Sequence, residues 1–381
     1  MNTKKILAFV LLMAFPLVAS AYDFEVDGLY YEKTGESEVA VVKGKKAYEG
    51  DIAIPAAVNF DGQEYLVKSI GHGAFEFCGK LTSVAIAEGV ERIGDGAFVT
   101  CSELSSVDLP STLKEIGEDA FYATTKLVEI SLPEGLEHIS KGVFHYSSIS
   151  EITIPSTVSH IDEGFICGHP MISTSIPSVE VTALRVAEGN PYYHSSADGG
   201  AIVETATGRL VQATSGGSVP EDVVSIGSFA FYNCKELKTL ILPQGLKELE
   251  AFSLMGCDNL ETIYCCSEEP SQISDLVFGT PADLGSRDIA KQCTVYVPQG
   301  KKQTYMEAGW TRFNFAEFLE FNPSDIGEIT GITVFTTRAD SPVYDLGGRL
   351  TFQEGKVTEN QVRKQLPRGV YIQNGRKFVI K

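Results

Sequence analysis

Two glutamates, Glu129 and Glu151, have the spacing that most resembles a catalytic pair. They stand 22 residues apart in a repeated pattern. Stacked parallel strands would place their carboxylates about 4.8 Å apart, close to the separation in a retaining glycosidase. Both would lie on one flat face with no opposing cleft, so a row of solvated charges explains them better. We therefore expect no enzyme activity, and a glycan-active hydrolase is the weakest alternative.

The eight cysteines fall into two groups. The first group shares one repeat position, which predicts small buried side chains rather than disulfide or metal chemistry. Its members are Cys78, Cys101, Cys234 and Cys257, with Cys167 as a variant close to the same register. The second group, Cys265, Cys266 and Cys293, lies outside this pattern. A disulfide from Cys265 or Cys266 to Cys293 is therefore an open alternative in an exported protein.

The histidines and known motifs add no catalytic or metal site. His138 and His160 stand directly before a repeated isoleucine. Other copies carry a charged residue there (Arg92, Glu115, Glu248), which predicts a solvent-facing position. The sequence has no Gly-x-Ser-x-Gly elbow, phosphate loop, dinucleotide fingerprint or His-Glu-x-x-His motif. We expect neither a metal nor a cofactor.

The charge of the chain argues against nucleic acid as a partner. Its 381 residues include 50 acidic and 31 basic side chains, a formal charge of -19. Binding to a phosphate backbone requires clustered lysine and arginine, whereas the charges here are scattered and mostly acidic. An anionic membrane surface is disfavoured for the same reason.

Residues 1–21 have the three parts of a secretory signal. Basic Lys4-Lys5 precede an apolar run from Ile6 to Val18, and the small residues Ala19-Ser20-Ala21 follow. Because the apolar run is short for a membrane span, we predict export with cleavage after Ala21. No later stretch of the sequence is long and apolar enough to predict a transmembrane segment.

A repeat of 23 residues organises most of the chain. Its phenylalanines recur at Phe75, Phe98, Phe121 and Phe144, with an Ile-Gly pair before most of them and a Leu-x-x-Val-x-Ile stretch after them. That stretch alternates with the period of two that is typical of a strand with one buried face. One copy cannot bury its own apolar residues, so the copies must stack into a solenoid.

The repeats are interrupted once and have atypical ends. We predict an N-terminal cap at 22–66, repeats at 67–178, an insertion at 179–222, repeats and a C-terminal cap at 223–321, and a tail at 322–381. The insertion contains Asn190-Pro191-Tyr192-Tyr193 and a hairpin from Ala201 to Ala213 that turns at Thr207-Gly208. Toward the C-terminal cap we expect a final strand at 294–298 and a short helix within 300–313 that covers the sheet edge.

The predicted fold is a strand-dominated α/β-type repeat solenoid with one parallel sheet on its concave face. Outward positions of this sheet form two rows near its C-terminal end, namely Thr239, Thr262 and Thr294, and Ile241, Tyr264 and Tyr296. The second row would be an exposed aromatic stripe that contacts a protein or a sugar ring. The interpretation we favour is instead that these side chains stabilise the sheet or pack beneath the C-terminal module.

The repeat resembles the treponemal-type leucine-rich repeats of BspA-like bacterial surface antigens. The resemblance is carried by the pattern Ile-Gly-x-x-Ala-Phe-x-x-Cys-x-x-Leu, as it stands from Ile93 to Leu104, and by the Asn190-Pro191-Tyr192-Tyr193 insertion. It covers about residues 50–320. The resemblance implies a leucine-rich repeat fold and attachment to host matrix proteins or other cells.

The tail resembles the C-terminal sorting domains of the type IX secretion system. The similar segments run from Val343 to Arg349 and from Leu366 to Ile372. Short strands separated by glycine turns predict a small β-sandwich here. The resemblance implies delivery to the cell surface by that secretion machinery.

Together these features predict a secreted or cell-surface leucine-rich repeat protein that binds or adheres without catalysis. Its expected partner is a protein or glycan ligand outside the cell, and recognition of host matrix proteins or other cells is the leading hypothesis. A surface protein that captures polysaccharides is the main alternative.

Overall fold

A computed structural model describes residues 22–166, 180–279 and 289–325, and the backbone of four strands between 343 and 380. The predicted signal segment and Cys167 lie outside the described residues. The described chain is strand-dominated, with parallel sheets and two short α-helices, α1 (Ile289–Gln292) and α2 (Lys302–Glu307). Two 3-10 helices, Trp310–Phe313 and Pro323–Asp325, follow. No helix in these ranges has the length and apolarity needed to cross a membrane.

The strands are short and are numbered in chain order. They are β1 (Phe24–Val26), β2 (Leu29–Lys33), β3 (Glu38–Val42), β4 (Glu49–Ile54), β5 (Ala57–Phe60), β6 (Gln63–Ile70), β7 (Lys80–Ile86), β8 (Arg92–Ile93), β9 (Ser106–Asp108), β10 (Glu115–Ile116), β11 (His138–Ile139), β12 (Glu151–Ile154), β13 (His160–Ile161), β14 (Ala183–Val186), β15 (Tyr193–Ser195), β16 (Ala201–Glu204), β17 (Arg209–Ala213), β18 (Ser225–Ile226), β19 (Thr239–Leu242), β20 (Glu248–Leu249), β21 (Thr262–Cys265), β22 (Gln272–Ile273), β23 (Thr294–Pro298), β24 (Glu317–Phe321), β25 (Val343–Asp345), β26 (Leu350–Phe352), β27 (Gly369–Gln373) and β28 (Arg376–Ile380).

Two rows of parallel strands follow the repeats, so the single parallel sheet predicted from the sequence is wrong. The long-strand row contains β4, β7, β9, β12 and β14, and then β19, β21, β23 and β24. The short-strand row contains β6, β8, β10, β11 and β13, and then β17, β18, β20 and β22. Most turns of the solenoid therefore contribute one strand to each row, and the apolar core lies between the two rows.

The Ile-Gly part of the repeat forms the second row. Ile93 and Ile116 are fully buried, and the residues before them point outward. The amide of Gly94 donates to the carbonyl of Ile70 at 2.8 Å, and Gly117 repeats this bond to Ile93 at 2.8 Å. Most strands of this row have only two residues, which is too short for an alternating pattern to be visible in the sequence.

A ladder of phenylalanines fills the core beside the short-strand row. Phe75, Phe98, Phe121 and Phe144 stack on successive turns, with ring centroids 5.1, 5.2 and 6.0 Å apart. The amide of Phe98 donates to the carbonyl of Ala120 at 2.8 Å, so the backbone of each turn is also held by the next. The phenylalanine thus supplies the main apolar volume of each turn. Its backbone amide also fixes the register of that turn against the next one.

The four repeated cysteines are buried in the core, which confirms their predicted structural role. Cys78, Cys101, Cys234 and Cys257 are buried free thiols. The thiol of Cys101 donates to the carbonyl of Phe75 at 3.0 Å, and Cys257 makes the same contact with Phe231 at 3.1 Å. A small side chain with one weak donor satisfies a carbonyl of the preceding turn.

The N-terminal cap covers the first turn with antiparallel strands. Strands β1, β2 and β3 pair antiparallel, and β3 then runs parallel to β6. The hairpin of β5 and β6 turns at Asp61 and Gly62, whose φ angles of 56° and 81° fit a tight hairpin turn. Phe24 stacks on Phe60 with centroids 4.3 Å apart, which closes the core at this end.

The insertion continues the solenoid rather than leaving it. Strands β16 and β17 form the hairpin predicted from the sequence, and β17 then pairs in parallel with β18 of the next repeat. The side-chain amide of Asn190 donates to the carbonyls of Pro155 and Val158, and the Tyr193 hydroxyl accepts from the amide of Ile161 at 3.0 Å. These bonds fasten the insertion to the preceding turn.

The C-terminal cap contains the expected short helix but one strand more than predicted. Trp310 is fully buried, and its indole donates to the carbonyl of Ser271 at 3.0 Å. Strand β24 follows and pairs in parallel with β23, so 294–298 is not the final strand of the solenoid. In the tail, the described backbone of β25 to β28 forms one antiparallel sheet in the order β26-β25-β27-β28. The sandwich predicted there stays a prediction.

We expect Phe98→Ala to lower the free energy of unfolding by about 3–5 kcal/mol, because it opens a cavity in the middle of the ladder. Val128→Ala is the control, since Val128 is 58% exposed and its truncation should change stability by less than about 0.5 kcal/mol. Urea unfolding followed by circular dichroism measures both. Equal losses in the two variants would contradict the role assigned to the ladder.

Candidate functional site

The candidate binding face consists of the outward residues of β19, β21, β23 and β24. Parallel register aligns Thr239, Thr262 and Thr294 in one row, which Glu317 extends on β24. The same register aligns Ile241, Tyr264 and Tyr296 in the next row, which Leu319 extends. The structure therefore brings together all six residues that the sequence predicts for this face.

The aromatic row is partly closed by packing between strands. Tyr264 is only 7% exposed, because it stacks on Tyr296 with centroids 4.7 Å apart and meets the edge of Phe321 at 5.3 Å. Burial raises the pKa of the Tyr264 hydroxyl above its usual value. Ile241 and Tyr296 are half-buried, while Leu319 is 39% exposed. Cross-strand packing accounts for the burial of Tyr264. Ile241, Tyr296 and Leu319 form the accessible part of the row.

Phe321 belongs to this cluster but was missed from the sequence. It lies on β24, on the same face as Leu319, and it is 7% exposed. The available signal was the run of three apolar residues among the five from Glu317 to Phe321, directly after the predicted C-terminal helix. The face as a whole offers hydroxyl groups in one row and apolar area in the next, which suits hydrogen bonding and apolar contact rather than proton transfer.

Glu129 and Glu151 line an open depression on the outer face of the earlier long strands, together with Ser106, Asp108, Ser131 and Thr153. Glu129 lies in a segment without strand structure, and β12, which carries Glu151, pairs with β14. The guanidinium of Arg185 is 2.9 Å from the Glu151 carboxylate. Glu151 is therefore part of an exposed ion pair.

The structure does not bring Cys265 or Cys266 near Cys293. Thr294 pairs with Thr262, so Cys293 lies beside Glu261. Cys266 is then five positions further along the strand, about 16 Å away, whereas a disulfide requires Cα atoms within about 7 Å. All three are free thiols, and the Cys293 thiol donates to the carbonyl of Leu260 at 2.9 Å.

His138, His160 and Asp162 form a cluster of described residues that could hold a metal ion. The Nε2 atoms of His138 and His160 lie 3.3 and 3.0 Å from the same carboxylate oxygen of Asp162. His160 is exposed, as predicted, and His138 is half-buried. Asp162 was missed from the sequence. The sequence feature that could have identified it is a carboxylate at the repeat position that is a glycine in earlier copies, such as Gly94.

The chain belongs to the BspA type leucine-rich repeat family. Six copies of this repeat match residues 64–185 and 214–297, which together make up more than half of the chain. The family resemblance predicted from the repeat pattern is thereby confirmed. A search of curated proteins gave no match.

Solved leucine-rich repeat structures resemble the chain. One from Bacteroides ovatus has a TM-score of 0.52 and 23% sequence identity, and the match covers 79% of this chain and 77% of that chain. The pneumococcal vaccine antigen PcpA gives a TM-score of 0.49 at 16% identity, over 73% of this chain and 82% of that chain. A T. pallidum leucine-rich repeat protein gives 0.36 at 19%, over 75% and 96%. The first of these likenesses supports the leucine-rich repeat fold.

One further titratable side chain lies at the junction of the repeats and the insertion. His145 is 3% exposed, stacks on Tyr146 with centroids 3.9 Å apart, and lines a small cavity with Gln212. Neither ring nitrogen makes a hydrogen bond with the described residues. Burial lowers the pKa of His145 to about 4.

We expect His145 to make the protein less stable in mild acid. The unfolded chain takes up this proton near the usual pKa of about 6.5, whereas the folded chain does so only near 4. Stability is therefore lost as the pH falls from 6.5 toward 4. His145→Phe should remove about 2 kcal/mol of the loss seen between about pH 7 and 4.5. Urea unfolding at each pH measures the free energy of unfolding. The same pH dependence in the unmodified protein and in the variant would contradict the role assigned to His145.

Proposed function

We propose that this protein is a non-catalytic binding or adhesion protein that acts outside the cell or at its surface. The observation that carries the proposal is the candidate binding face. It presents a hydroxyl row beside a partly exposed apolar row on successive strands that backbone hydrogen bonds hold in register. Such a face is arranged before binding, so little conformational entropy is lost when a partner docks.

The partner we favour is a protein of the host matrix or of another cell. A flat array suits a protein surface better than a small molecule, which usually binds in a concave pocket. Tyr296 and Leu319 supply the apolar centre of the contact, and Thr239 and Glu317 supply a polar rim. Membership of the BspA type repeat family supports this proposal. Catalysis is not part of it, because Glu129 and Glu151 line an open depression rather than a closed cleft.

Binding by this face predicts that Tyr296→Ala combined with Leu319→Ala weakens binding about tenfold or more, since central apolar contacts carry most of the affinity. The control, Ser106→Ala combined with Thr153→Ala, removes exposed hydroxyl groups elsewhere on the long-strand row and should leave binding unchanged. The measurement is saturable binding to immobilised matrix proteins, whole cells and a glycan array. Absence of saturable binding to all three would refute the proposed function.

Capture of a polysaccharide is the second candidate, because Tyr296 places a half-buried ring beside the hydroxyl groups of Thr262 and Thr294. A sugar ring requires the flat aromatic surface, whereas a protein partner requires mainly the apolar area. Tyr296→Leu should therefore abolish glycan binding but largely preserve protein binding. If the variant lost both glycan and protein binding, or lost neither, the Tyr296 ring would not be the sugar-binding group that this alternative requires.

Export is proposed from the signal-like segment at 1–21, and surface delivery from the tail. If this is right, the protein recovered outside the producing cell begins at Tyr22 when its N-terminus is sequenced. Ala19→Arg combined with Ala21→Arg should stop the cleavage, because signal peptidase accepts only small residues there. Full-length protein retained in the cytoplasm without either change would contradict the proposal.

A further inference from the structure

We infer that His138, His160 and Asp162 bind one divalent transition-metal ion of the zinc type on the outer side of the short-strand row. The inference is independent of the proposed function. Parallel pairing of β11 with β13 places His138 directly beside His160. Asp162 follows two residues later on the same face, and the three ligand atoms lie within 4.8 Å of one another.

The spacing of the ligand atoms fits a tetrahedral ion. With bonds of about 2.0–2.1 Å to zinc, neighbouring ligands of a tetrahedron are about 3.3 Å apart. The two Nε2 atoms lie 3.3 and 3.0 Å from Oδ1 of Asp162. Two imidazoles and one carboxylate favour zinc, cobalt or nickel over calcium or magnesium, which prefer oxygen ligands alone.

An unsatisfied nitrogen supports the same conclusion. Nε2 of His138 is shielded from solvent and makes no hydrogen bond with a described residue, although it lies 3.3 Å from Asp162. A shielded polar atom without a hydrogen bond is uncommon in folded proteins, and coordination to an ion is one ordinary explanation for such an atom. A metal ion between the three groups would satisfy this nitrogen.

The cluster departs from the repeat at a position where other turns have little room for a side chain. A Cβ built on Gly94 would lie 2.8 Å from the amide nitrogen of His72 and 2.9 Å from the carbonyl carbon of Gly71. The corresponding residue is serine at 140 and aspartate at 162. Asp162 thus replaces this glycine in the same turn as His160, which lies beside His138.

The nearest carboxylates among the described residues are paired with arginines, so this part of the chain supplies three ligands. Glu163, the next residue, is held by the guanidinium of Arg209 at 2.5 Å. Glu115, which pairs with His138 on the preceding strand, is 3.3 Å from Arg92. Three protein ligands and one free position allow a water molecule, or a side chain of a bound partner, to complete the tetrahedron.

The test uses the untagged chain without its first 21 residues, stripped of metal with a chelator and titrated with cobalt(II) and then zinc. We expect one ion per chain, with cobalt absorption bands typical of tetrahedral nitrogen and oxygen ligands and no thiolate charge-transfer band. Asp162→Ser, which installs the residue of the preceding turn, should weaken binding at least tenfold. His72→Gln alters another exposed histidine and should bind as the unmodified chain does.

Stability supplies a second readout, because an ion that binds only the folded chain raises its melting temperature. Zinc should raise the melting temperature of the unmodified chain and of His72→Gln but not that of Asp162→Ser. Circular dichroism establishes that each variant is folded. The inference is overturned if the unmodified chain shows no saturable stoichiometric binding, if Asp162→Ser binds as tightly as His72→Gln, or if the cobalt spectrum shows thiolate ligands.

Discussion

Backbone pairing between successive turns is the constraint on which the rest of the structure depends. Bonds within a turn satisfy only part of its amides and carbonyls, and many of the others pair with the turns on either side, as Gly94 does with Ile70 and Phe98 with Ala120. This pairing keeps the strands of successive copies in one register, even where a copy is longer than the others. Side chains of equivalent position therefore align, and the phenylalanine ladder, the buried thiols and the outward rows all follow from that alignment.

The insertion is accommodated because it meets the same constraint. Its last strand, β17, enters the short-strand row, and Arg209 on that strand contacts Glu163 of the preceding turn and Glu250 of a later one. Although partial burial opposes it, the bonds from Arg209 and Ser228 hold the pKa of Glu250 below its usual range. One side chain thus spans the interruption and ties the two parts of the solenoid together.

The sequence predicted most of the repeated side-chain positions, but it missed the second strand row and several residues of the candidate sites. The period of 23 residues identified the ladder at Phe98, the cysteines and the aligned threonines, because each was supported by several copies. The second strand row was missed because a two-residue strand has no visible alternation. Phe321 and Asp162 were missed because each stands alone, and only the folded chain shows what lies beside it. Neither Tyr264 nor Phe321, taken alone in the sequence, predicts that Phe321 packs against Tyr264 and buries it.

The buried thiols have a consequence for the reactivity of the chain. Seven cysteines in the described part of the chain are free, and burial raises the pKa of Cys101 to about 12, so it stays protonated and unreactive in the folded state. No disulfide joins the seven cysteines of the described ranges, so the packing of these ranges does not depend on a covalent cross-link. Burial shields six of the seven thiols from oxidants in solution, whereas Cys266 is half-buried.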